Sequence, residues 1–204
     1  EVFKTLQFDD AVVNIFKRKN YLYIVLKGGK IFEFNFNDQN LRQIFQAEDI
    51  QTIQEAGLLS IAINKQYDEF VVSYVNTNFQ LIVDKYRFKE NIADHTYLGQ
   101  IFSQQLIKPY THIGGNLIWS DYYNTYLLSV GDNQEANEFS RVNPAPLDTT
   151  NQLGKILALE NVITDAPLIY SNDTNEKLTN IVVYGLRSPW QFFEYNGYLV
   201  VFDV

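Results

Sequence analysis

Apolar residues along this chain recur in short runs, often in alternation, and no stretch sustains a 3.6-residue period. Several segments share one plan: an apolar strand, a tight polar turn, then a second apolar strand. The pattern reads 57–64 (GLLSIAIN), a turn over 65–69, then 70–75 (FVVSYV). It returns as 115–120 (GNLIWS), a turn over 121–124, then 125–130 (TYLLSV). A further copy is 189–194 (PWQFFE), a turn over 195–197, then 198–203 (YLVVFD). An N-terminal version is 12–17 (VVNIFK), a turn over 18–20, then 21–26 (YLYIVL). Third strands are expected over 31–36, 79–88 and 154–160, and residues 39–46 are expected to form a single helical turn.

Strand-rich units repeating at intervals of tens of residues predict an all-β fold of propeller type, with a β-sandwich as the rival. The chain is expected to be a single partial domain, 1–204, with blades at roughly 10–48, 55–90, 112–160 and 181–204. That makes about three and a half blades, so the remainder of the ring is expected in the same or another chain. Segments 90–108 and 131–153 read as long loops of the kind that carry function on a rigid scaffold.

Composition narrows the picture. Of 204 residues, 16 are Lys or Arg and 24 Asp or Glu, giving a formal charge of -8. Such a balance argues against nucleic acid as a partner. Fourteen Tyr and fifteen Phe suit pleated, half-buried surfaces. No apolar run is long enough for a membrane-spanning helix. Cysteine is absent, which removes disulfides, thiol catalysis and zinc–thiolate sites. The sequence opens on Glu1 and contains no Met, so a processed N-terminus is expected, with a secreted, periplasmic or extracellular location. A glycosylation sequon stands at Asn172.

Of the two histidines, His112 precedes Gly114 and Gly115, where absent side chains leave room for a flat ligand; its alternative is a structural His capping a strand turn. His95 reads as a solvated loop residue. Asp132 follows a strand end and suits either an orienting carboxylate or a turn acid. Arg187 offers a planar fork to quinone or carboxylate oxygens, or a surface ion pair. Glu55 is a sugar-binding acid or an exposed turn residue. Lys155 reads as a blade-closing residue, and Trp119 and Trp190 as packing between blades. The acids between Asp132 and Glu138 read as a solvated loop.

Six motifs, in order, resemble those of the glucose/sorbosone dehydrogenase family: EAGLLSIA at 55–62, HIGGNL at 112–117, SVGDN at 129–133, QLGKIL at 152–157, YGLRSPW at 184–190 and FDV at 202–204. The departures are Asn116, where the family often has Arg or Gln, and Ser188, where it often has Asn. The resemblance implies a six-bladed propeller that oxidises a sugar or alcohol with pyrroloquinoline quinone (PQQ) and calcium. It implies His112 as general base, Asp132 as its orienting carboxylate and Arg187 as a catalytic and cofactor contact. Gly114 and Gly115 would lie against the cofactor, Glu55 and His112 against substrate, and calcium ligands beyond Val204. The alternative is a non-catalytic propeller serving as a binding or structural module.

Overall fold

A computed structural model describes residues 5–64, 66, 68–89, 92–108, 111–133, 146–160 and 180–204. Among these there is no helix. The strands are β1 (Val12–Arg18), β2 (Tyr21–Leu26), β3 (Lys30–Asn35), β4 (Leu41–Gln46), β5 (Leu58–Asn64), β6 (Glu69–Val75), β7 (Gln80–Phe88), β8 (His95–Gln105), β9 (Gly114–Ser120), β10 (Thr125–Val130), β11 (Lys155–Ala158), β12 (Ile181–Tyr184), β13 (Pro189–Tyr195) and β14 (Tyr198–Asp203).

They form antiparallel meanders: β1-β2-β3-β4, β5-β6-β7-β8, β9-β10-β11-β12, and the hairpin β13-β14. The first strand of each meander faces its counterpart in the next, since β1 meets β5, β5 meets β9 and β9 meets β13. Consecutive sheets radiating from adjacent inner strands make a partial β-propeller. An open groove of about 790 Å³ follows the later halves of these inner strands, past Asn14, Arg18, Asn64, Asn116, Trp119 and Phe193.

Each seam between blades is an apolar layer fed by alternate residues of the strands on either side. Phe70 and Val72 of β6 enter the seam with the first blade, beside Tyr23, Val25 and Phe45. Val71 and Val75 of the same strand enter the next, with Leu117, Tyr126 and Leu128. Leu127 turns the other way, onto Val182 and Phe192. A blade between two neighbours therefore buries both faces, which explains why β6 and β10 read as near-continuous apolar runs.

A charged staple crosses the second seam. Lys85 lies 2.7 Å from Glu69 in its own blade and 2.8 Å from Glu160 in the next, and Arg87 also reaches Glu69. Burial pushes the Glu69 carboxyl up, but hydrogen bonds from Lys85 and Arg87 outweigh it and hold Glu69 below its ordinary value.

Three segments differ from the sequence expectation. Residues 41–46 are the outer strand β4, not a helical turn. The stretch read as a loop over 90–108 contains the 11-residue outer strand β8. Ile181–Tyr184 pairs with β11 and so completes the third blade, leaving β13 to open the fourth. Each is an outer or short strand, where mixed exposure weakens the alternation. The sequon at Asn172 and the acids Glu135 and Glu138 lie outside the described residues.

Candidate active site at one mouth of the propeller

Strand direction alternates within each blade, so the starts of β5, β9 and β13 and the ends of β10 and β12 all lie at one mouth. His112 precedes β9, Asp132 follows β10, Arg187 lies between β12 and β13, and Glu55 precedes β5. The residues expected to form a site therefore share one end of the ring.

His112 and Asp132 are both buried, with His112 Nδ1 2.8 Å from Asp132 Oδ1. A carboxylate only accepts, so Nδ1 carries the hydrogen and donates it. That tautomer leaves Nε2 as the acceptor, the arrangement a general base requires. His112 adopts a left-handed backbone, φ 47°, which costs a non-glycine residue of order 1 kcal/mol and persists only where the surroundings impose it. Those surroundings are explicit. The His112 carbonyl accepts from Asn133 N at 3.2 Å. The Asn133 side chain in turn accepts from Ile107 N at 2.6 Å and Lys108 N at 3.0 Å and donates to the Thr111 carbonyl at 3.2 Å.

Gly131 and Gly114 close this corner. A Cβ at Gly131 would lie 1.8 Å from the His112 carbonyl, and one at Gly114 would lie 2.9 Å from Ser129 O. At Gly115 the same space is filled by Leu59 of the neighbouring blade. The space a side chain would need at these glycines is thus taken by protein, which gives their absent side chains a packing reason.

Arg187 reaches the mouth through backbone fastenings. Its carbonyl accepts from Asp132 N at 2.8 Å. Its N–H donates to both oxygens of Asp203 at 3.0 Å, and Ser188 N donates to Asp203 at 2.7 Å. Asp203 is the residue that sequence reasoning passes over; the FDV motif is its signal. Its carboxylate orders the turn that carries the guanidinium.

Glu55 is half-buried, and its Oε2 accepts from Ile113 N at 3.3 Å, fastening the second blade to the strand that carries His112. Lys155 is fully buried. Its ammonium donates to the Pro146 and Leu153 carbonyls at 3.1 and 2.5 Å, and burial lowers its pKa to about 8. It closes the segment after residue 145 beneath the mouth, since Gly154 N reaches Gly131 O and Gly154 O accepts from Leu186 N, both at 3.0 Å.

His95 is not a solvated loop residue. It opens β8, and its ring packs among Phe45, Phe70 and Tyr86 with Nδ1 2.7 Å from the Ile92 carbonyl. Trp119 packs edge-on against Tyr126, as a seam residue should. Trp190 is 43% exposed and lines a small cavity with Val13, Asn14, Leu59 and Asn116 of the neighbouring inner strands. Among the described residues, no group of three or more His, Asp or Glu gathers to hold a metal ion.

Comparison with known proteins places these features in a family. The family model for glucose/sorbosone dehydrogenases matches residues 14–195. No curated protein matches the chain. Among solved structures, an oxidoreductase (glucose dehydrogenase) from Thermus thermophilus superposes with a TM-score of 0.72 at 16% identity, covering 94% of this chain and 56% of that one. The soluble aldose sugar dehydrogenase of Escherichia coli, in its apo form, gives 0.69 at 19% identity, with 95% and 59% covered. The PQQ-bound aldose sugar dehydrogenase of Streptomyces coelicolor gives 0.66 at 15% identity, with 89% and 52% covered. The chain therefore spans somewhat more than half the length of these relatives. With the family model covering nearly all of its length, this partial propeller belongs to the glucose/sorbosone dehydrogenase family.

Proposed function

We propose that this chain supplies the proton-accepting half of a quinone-dependent sugar dehydrogenase site. The observation that carries this reading is the buried His112–Asp132 pair, at 2.8 Å, opening at the same mouth as Arg187.

His112 Nε2 accepts the proton of a sugar or alcohol hydroxyl, which makes the adjoining C–H a better hydride donor. Asp132 keeps the imidazole in the productive tautomer and stabilises the imidazolium that forms. Arg187 offers a planar cation to anionic oxygens at the mouth. PQQ, which the Streptomyces relative binds, supplies when bound the quinone that takes the hydride as the C–OH carbon is oxidised to a carbonyl. The fit rests on placement along the chain: His112 and Arg187 stand at one mouth, where a sugar hydroxyl and a flat anionic quinone would both lie, and the Arg187 guanidinium donates there to the Val204 carbonyl at 3.5 Å. Calcium is a weaker fit, for the described residues offer no acidic cluster, and no step is assigned to it. The remaining blades, from the same or another polypeptide, would complete the cup around Arg187.

The test is dye reduction by the full-length protein loaded with PQQ in calcium buffer and supplied with an aldose. Activity should appear, and His112→Ala should reduce it by about 10²–10⁴-fold. Undiminished turnover in that variant would remove His112 as the base.

A further inference from the structure

Each of the four inner strands carries one extra residue near its mouth end. Val12 and Asn14 oppose the consecutive residues Leu26 and Val25. Leu58 and Ser60 likewise oppose Tyr74 and Ser73, and Pro189 and Gln191 oppose Asp203 and Phe202. On β9 the run from Gly114 to Leu117 matches the shorter run from Val130 to Leu128. Such β-bulges bend a strand and re-aim the side chains that follow. Repeated at one level in four neighbouring strands, they place Asn14, Ser60, Asn116 and Gln191 at equivalent positions beside the axis.

Three of these residues are joined, and one amide spans the blades. Asn116 Nδ2 donates to the Phe192 carbonyl on β13 at 3.2 Å. Its Oδ1 accepts from Asn14 Nδ2 on β1 at 3.2 Å and from Ser60 Oγ on β5 at 3.3 Å. Asn14 also donates to Ser60 Oγ at 3.0 Å, as does Leu117 N at 3.1 Å. The stated amide orientation is the one that gives every contact a donor and an acceptor. Ser60 and Asn116 are buried, where a satisfied network is stronger than its separate bonds and a broken one exposes the desolvation cost of its members.

This girdle lies one short stretch of strand below the candidate site. Asn116 is below His112, Phe192 below Arg187 and Ser60 below Glu55. At the mouth, Asp132 N and Arg187 O already fasten the third blade to the fourth. One fastening sets a separation and leaves a pivot; a second, lower between the same two blades and made by β9 instead of the end of β10, fixes the angle between them. We propose that the girdle is that second fastening, and that Asn116 is a positioning residue which sets Arg187 relative to His112 for cofactor binding. This rests on the quinone reading above.

The experiment is equilibrium titration of PQQ into the full-length protein as wild type, Asn116→Ala, Arg187→Ala and the double variant. Asn116→Ala should weaken binding roughly tenfold, as the loss of a supporting shell does. In the Arg187→Ala background it should weaken binding by less than about twofold, because the two act through one group. An equal loss in both backgrounds would overturn the proposal. Asn14→Ala, which leaves the Asn116–Phe192 bond in place, should give a smaller loss in the same direction; a larger loss than Asn116→Ala would contradict it. A ligand-free cycle keeps the two readings separable. The thermal midpoint shifts of Asn14→Ala and Asn116→Ala should be sub-additive in the double variant if the girdle is one unit, and additive if it is not. Wild-type protein that binds no PQQ would sink the cofactor reading, and the cycle would still decide whether the girdle exists as a unit.

Discussion

Strands β10 and β14 occupy the same place in successive blades and are both largely apolar, yet their surroundings differ. All six residues of β10 are buried, with Leu128 packed into one seam and Leu127 into the next. In β14, Leu199 and Val201 pack on the third blade, whereas Tyr198 is 75% exposed and Phe202 54% exposed. The difference comes from neighbours and not from sequence: a propeller strand becomes a core strand only when a blade stands on each side. The candidate site straddles this contrast. Its His112–Asp132 half stands on a blade flanked on both sides, and its Arg187 half stands on the hairpin with one covered face.

The contrast can be broken most forcefully in the core. Leu128→Ala should cost about 2–5 kcal/mol of unfolding free energy in a denaturant titration. Val200→Ala, on the uncovered face of β14, should stay within about 0.5 kcal/mol in this chain. Equal costs would mean that β14 is covered in solution. A middle-sized effect is expected at Asp203, whose carboxylate accepts the Arg187 and Ser188 N–H groups. Asp203→Asn removes the charge from that clasp and should cost about 1 kcal/mol, with faster amide exchange at Arg187 and Ser188 than at Asp132.

A separate effect is a pH slope. Burial lowers Lys155 to about 8 from its ordinary 10.5, so over that interval the unfolded chain binds the proton and the folded chain does not. Stability from this group therefore rises as pH climbs from 8 toward 10.5, by at most about 1.4 kcal/mol per pH unit. Comparing unfolding curves of wild type and Lys155→Met between pH 8 and 10 isolates it: the wild type should gain on the variant, and parallel curves would contradict the assignment. Glu69 acts at the acid end. Its carboxyl is held below the ordinary value, so its contribution is complete above the unfolded pKa and is lost as pH falls through the lower folded one.

The hairpins of the second and third blades are legible in the sequence because strands with a blade on each side, such as β6 and β10, are the most buried, and burial writes itself as near-continuous apolar runs such as TYLLSV. The outer strands are not. β8 mixes Gln, Ser and Gly among its apolar residues because half of it faces solvent, and β4 interleaves Arg42 and Gln43 with Ile44 and Phe45. For the site, the chain order puts His112, Asp132 and Arg187 at the same end of the ring. What no local pattern can supply are contacts made across blades: Glu55 to Ile113 N, Asp203 to the Arg187 turn, and Leu59 filling the space above Gly115. The glycines stand out for the absence of a side chain, and protein atoms from across the blade and from the next one make that absence necessary. His95 escapes a sequence reading because its partners, Phe45, Phe70 and Tyr86, come from three other strands.

The most direct test of the mouth as a cofactor site is calorimetric titration of PQQ, with calcium present, into the full-length protein and its Arg187→Ala variant. Micromolar or tighter binding by the wild type, weakened at least about tenfold in the variant, is the result expected of a site built on that guanidinium. No heat of binding at micromolar cofactor would contradict it and leave a propeller that keeps the family's fold without its chemistry.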